Sequence, residues 1–74
     1  MAPIAYQFAI GQHVWLIKKI AYPHKPKPIP AGTEGVILGR LVQENKLTYK
    51  VKFIGFGHLV LVIEKKLQDR RESL

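Results

Sequence analysis

Apolar and polar residues alternate along much of this chain, and the stretches where they stop alternating are equally informative. Ile4, Tyr6, Phe8 and Ile10 fall on one side of an extended backbone, with Ala5, Gln7 and Ala9 on the other. This predicts a strand-like arm over residues 1–10, ended by a turn at Gly11. His13 to Ile20 is rich in β-branched and aromatic residues and reads as a strand. Thr33 to Val42 reads as another, its glycines suited to sharp bends or close backbone approaches. Gln43-Glu44-Asn45-Lys46 is a polar hairpin connection. The clearest strand is Leu47 to Phe53, where Tyr49, Val51 and Phe53 face inward and Thr48, Lys50 and Lys52 face water. A turn at Gly55-Phe56-Gly57 leads into the strand Leu59 to Ile63. The charged tail from Glu64 starts with a short helical turn and a last strand, and residues 69–74 are expected to fray.

Between the first two barrel strands, Pro23, Pro26, Pro28 and Pro30 remove backbone donors and fix φ. Residues 21–32 are therefore expected to form an extended, polyproline-like loop. Five to six short antiparallel strands, glycine turns and one long Pro-rich loop define an all-β fold class, a small barrel. No repeat or linker is visible, so residues 1–74 are expected to form one domain.

Three strands break the alternation. Leu59-Val60-Leu61-Val62-Ile63, Val14-Trp15-Leu16-Ile17 and Val36-Ile37-Leu38 are apolar on both faces. A small barrel has one interior, so a second apolar surface is expected to need cover. The arm can supply part of it and a symmetric partner the rest, which predicts a homo-oligomer, most simply a dimer. The residues assigned to self-association are Ile4, Tyr6, Phe8, Trp15, Ile17, Val60 and Val62.

Composition narrows the functions. The chain has no cysteine, which excludes disulfides and thiolate metal sites and fits a cytoplasmic location. The first residues lack a basic segment followed by a long apolar one, so no signal peptide is expected. The longest apolar run, Leu59 to Ile63, is too short to span a bilayer, and no membrane insertion is expected. His13, His24 and His58 follow no metal-motif spacing, so no metal and no cofactor is expected. The carboxylates Glu34, Glu44, Glu64, Asp69 and Glu72 form no catalytic arrangement with a nucleophile and base, and the chain reads as non-catalytic.

The ordered residues Gly11, Val14 and Leu16, the Gly32-Thr33-Glu34-Gly35-Val36 step, the strand Tyr49, Val51 and Phe53, and a closing Leu67 together resemble the SH3-like small β-barrels of the KOW and Tudor kind. The resemblance spans roughly residues 11–68. The layout is also similar to the variable chain of ferredoxin–thioredoxin reductase and to a small peripheral photosystem I subunit, both docking or supporting parts. KOW-type barrels imply contact with RNA or the ribosome. Tudor-type barrels imply an aromatic cage for methylated side chains, and Phe53-Ile54-Gly55-Phe56-Gly57 is similar to the strand-turn that supplies two cage aromatics. The first-strand turn offers only Tyr22, so core packing of Phe53 with Phe56 at a turn is the reading preferred here.

Charge supplies the functional expectation. Twelve Lys and Arg against five Asp and Glu give a formal net charge of +7, which favours acidic partners. Lys50 and Lys52 share one strand face, and with Arg40 they are expected to form a phosphate-tracking stripe. Lys18, Lys19, Lys25 and Lys27 supply further positive charge, and Tyr22 and Trp15 supply stacking surfaces. The leading expectation is a binding module for nucleic acid or a ribonucleoprotein. The alternative is an accessory subunit that docks an acidic protein, and a third reading is an enzyme whose site forms on the symmetry axis of an oligomer.

Overall fold

The computed structural model describes residues 5–21 and 27–70. The architecture is all-β, with strands β1 (His13–Leu16), β2 (Glu34–Gln43), β3 (Lys46–Phe53), β4 (Leu59–Ile63) and β5 (Leu67–Gln68). They form one antiparallel sheet in the order β4-β3-β2-β1-β5, and a single turn of 3-10 helix, Glu64–Lys66, leads into β5. This is the small all-β class expected from the sequence, with five strands where five to six were expected and with the expected short helical turn before the last strand.

One face of the sheet encloses the core. Val14 and Leu16 of β1, Ile37 of β2, Tyr49, Val51 and Phe53 of β3, Val60 and Val62 of β4, and Leu67 of β5 belong to one buried cluster. Gly35 allows β2 to press against β3, because a Cβ at that position would lie 2.6 Å from a Val51 methyl carbon. This is the close backbone approach expected of a glycine in that strand. The β2–β3 hairpin turns through Glu44 and Asn45, both at positive φ (52° and 64°), between the paired residues Gln43 and Lys46. A two-residue loop with both central residues left-handed matches the natural twist of a hairpin.

Two segments differ from the expected layout. Residues 5–10 form no strand; Phe8 is buried in the core, Tyr6 packs against it, and Ile10 stands exposed. β1 ends at Leu16, and the chain then doubles back so that Ile20 and Ile29 exchange both backbone hydrogen bonds at 2.9 and 2.7 Å. Both isoleucines are buried, so the Pro-rich loop is closed at its base by a bridge over the core. Prolines at 28 and 30 flank Ile29 without disturbing the bridge, since the donor it uses belongs to Ile29 itself.

Candidate nucleic-acid interface

The opposite face of β2, β3 and β4 looks outward, and its rows follow from the register. Lys52 sits between Val36 and Leu59, and the next outward row sets Lys50 between Gly39 and Leu61. Leu59 and Leu61 are about half exposed, at 53% and 46%. The third row sets Thr48 between Leu41 and Ile63. Thr48 was expected to face water; it lies on the outward side but is buried there, and its hydroxyl donates to the Lys46 carbonyl at 3.1 Å.

An extra residue in β2 reshapes this face. Ile37 pairs with Val51 and Gly39 with Lys50, so Leu38 is inserted as a bulge and stands 47% exposed. A bulge shifts by one residue which side chains point inward. Arg40 consequently pairs with Tyr49 on the core side, and its guanidinium lies 4.9 Å from the centre of the Tyr6 ring. Arg40 is therefore not part of the stripe with Lys50 and Lys52, a correction to the sequence reading. Lys50 gains from the same bulge, because its aliphatic stem passes over Gly39, where a Cβ would lie only 3.2 Å away.

Lys50 and Lys52 are exposed, and among the described residues neither has a carboxylate within 4.0 Å. The other basic residues lie elsewhere. Lys18 and Lys19 are exposed after β1, beside the 3-10 turn to which Ile17 N–H bonds at the Lys66 carbonyl (2.8 Å). Lys27 is exposed near the base of the Pro-rich loop. Tyr22 and Lys25 fall outside the described residues, as does Ile4 of the arm. Trp15 lies on the outward side of β1 between Glu34 and Gln68, half-buried. Glu34, the β2 partner of Trp15, places its carboxylate 2.7 Å from His13 Nδ1.

The self-association set also divides. Phe8, Val60 and Val62 are core residues with 3% exposure or less, and cannot form an outer contact in this fold. Inward and outward residues alternate along β4, with Leu59 and Leu61 exposed on the outward side and Ile63 half-buried there. Tyr6 is half-buried against the core, while Ile17 is exposed. On the outward face of β2–β4 the exposed apolar side chains include Leu38, Leu59 and Leu61, none of them in the expected self-association set, whereas Ile17 of that set is exposed after β1.

At the end of the molecule where the arm docks, the Tyr49 hydroxyl forms a part-buried junction. It donates to a Glu64 carboxylate oxygen at 2.5 Å and accepts from the backbone N–H groups of Gln7 (3.1 Å) and Phe8 (3.2 Å). Burial, followed by the hydrogen bond to Glu64, pushes the phenol pKa above its ordinary value. Nothing in the sequence pattern marked Tyr49 as more than a core aromatic. The signal available was its polar tip, since a buried phenol needs a partner.

Among the described residues no group of three or more His, Cys, Asp or Glu could hold a metal ion. His13 is engaged by Glu34, whereas His58 is half-buried with an Nε2 that has no hydrogen-bond partner among the described residues. Phe53 is fully buried and Phe56 packs against the core, the arrangement preferred over an aromatic cage. No helix among the described residues is long and apolar enough to cross a membrane. Comparison with family models, with curated proteins and with solved structures finds no match. The fold and the outward face thus define a class, a small basic all-β domain presenting an apolar sheet face with two lysines at its centre.

Proposed function

We propose that this chain is a non-catalytic, cytoplasmic binding module of the SH3-like kind that contacts nucleic acid or a ribonucleoprotein through the outward face of β2–β4. The observation that carries this reading is the placement of Lys50 and Lys52, exposed on the central strand of that face with no carboxylate within 4.0 Å among the described residues. Their charge is available to phosphates without first breaking an ion pair, and displacement of condensed counterions supplies the affinity. The strand order and the 3-10 turn before β5 support the SH3-like resemblance.

Fluorescence anisotropy with labelled oligonucleotides at about 50 and about 200 mM salt tests the reading. The expected result is roughly micromolar binding at the lower salt that falls steeply at the higher. Lys50→Glu with Lys52→Glu is expected to abolish it, whereas Lys18→Glu with Lys19→Glu costs far less. Absence of binding at the lower salt overturns the reading. A second reading, docking of an acidic protein, draws on Leu38, Leu59 and Leu61 beside the same lysines, since protein interfaces combine an apolar centre with a charged rim.

A further inference from the structure

Beside Lys52 the outward face is indented. A groove of about 330 Å³ lies between the β2 bulge and the turn after β3, lined by Val36, Leu38, Ile54, Gly55 and Phe56, with Lys52 as its one charged residue. Each wall has a local cause. Leu38 is turned outward by the bulge, and Val36 is the cross-strand partner of Lys52. The opposite wall is the turn at Gly55, whose φ of +91° is readily available only to a residue without a Cβ. Ile54, just before it, is 61% exposed.

We propose that this groove receives an unpaired nucleobase, so that the ligand of the face is single-stranded nucleic acid; the proposal rests on the nucleic-acid reading above and makes it specific. An apolar slot bordered by a cation that has no carboxylate partner among the described residues is complementary to a flat, weakly polar ring joined to an anion. A nucleotide is such a ligand, with the base covering Val36, Leu38, Ile54 and the Phe56 ring while Lys52 and Lys50 meet the flanking phosphates. Bases inside a duplex have both faces stacked and cannot cover this surface, whereas a single strand can turn a base outward. A second copy of the chain is a poorer occupant, because a two-fold contact through this face sets Lys50 and Lys52 against the same lysines of the partner.

Anisotropy titrations with a labelled oligothymidylate and with a duplex of equal length, at about 50 mM salt, provide the test. Leu38→Ser with Ile54→Ser removes apolar walls that are already exposed, and thermal unfolding confirms that the variant is folded. The expected result is single-strand binding about ten-fold tighter than duplex binding, with most of that difference lost in the serine variant. Its salt slope stays unchanged, because the phosphate contacts remain. Leu59→Ser, outside the groove, is expected to leave the preference intact. Equal affinity for the two ligands, with the serine variant unaffected, overturns the groove assignment while the phosphate-binding face stands. Binding to neither ligand overturns both.

Discussion

Tyr49 shows how one polar atom organises its surroundings. Its ring is fully buried, in edge contact with Phe8 (centroids 5.4 Å apart) and Tyr6 (5.9 Å), while its hydroxyl joins Glu64 to the backbone of the arm. Removing that oxygen leaves the buried Phe8 N–H without its partner, and leaves the Glu64 carboxylate with the bond it accepts from the Gln7 N–H at 3.1 Å. Tyr49→Phe is therefore expected to destabilise the fold by about 1–3 kcal/mol, measured by chemical denaturation. The raised pKa adds a pH dependence. In the unfolded chain the phenol loses its proton near the ordinary value of 10.0, whereas the folded chain holds it to higher pH. The folded state then binds more protons, so this contribution is complete below about pH 10 and is lost as pH rises through the folded value. Denaturation midpoints taken across that range are expected to fall in the wild type more steeply than in Tyr49→Phe.

Among the elements, the β2–β3 hairpin combines a regular start with a deliberate irregularity. Its turn asks Glu44 and Asn45 for left-handed backbone, which Asn tolerates and Glu resists. Glu44→Asn with Asn45→Gly installs the favoured pair for this turn and is expected to stabilise the domain by about 1 kcal/mol, read as a higher denaturation midpoint with an unchanged slope. Further along, the Leu38 bulge sends Arg40 to the aromatic arm and Leu38 to the outside. One inserted residue thus sets both the shape of the groove and the composition of the basic face. The alternation in β3 showed Lys50 and Lys52 together in the sequence; the bulge did not show, because a stretch such as Val36-Ile37-Leu38-Gly39 is compatible with either parity.

At the level of the whole molecule, a net charge of +7 and an exposed apolar sheet face act in opposite directions. The apolar residues favour association, while the lysines between them resist contact with an identical surface. Self-association through Leu59 and Leu61 is therefore expected to strengthen with salt, as the lysines are screened, whereas oligonucleotide binding weakens. Sedimentation velocity at about 50 and about 500 mM salt reads the first trend, and a mass that falls as salt rises would count against Leu59 and Leu61 as the contact. The homo-oligomer expected from the sequence depends on which apolar residues reach the surface. Val60 and Val62, assigned to it from their run in the sequence, lie in the core.

The elements themselves were legible in the residues: the strand Leu59 to Ile63, the polar hairpin, the 3-10 turn before the last strand and the glycine approach at Gly35 all follow from local pattern and backbone preference. Local pattern suffices there because strand alternation and turn residues act over a few neighbouring positions. Which face each apolar residue takes was decided by pairing between strands distant in sequence. β4 could have turned either Val60 and Val62 or Leu59 and Leu61 to the core, and its register with Tyr49 and Val51 chose the valines. The docking of Phe8 under Tyr49, the removal of Arg40 from the basic stripe and the groove beside Lys52 are likewise products of tertiary packing. Each depends on where a bulge, a turn and a part-buried hydroxyl meet in space, and no spacing within one segment encodes that meeting.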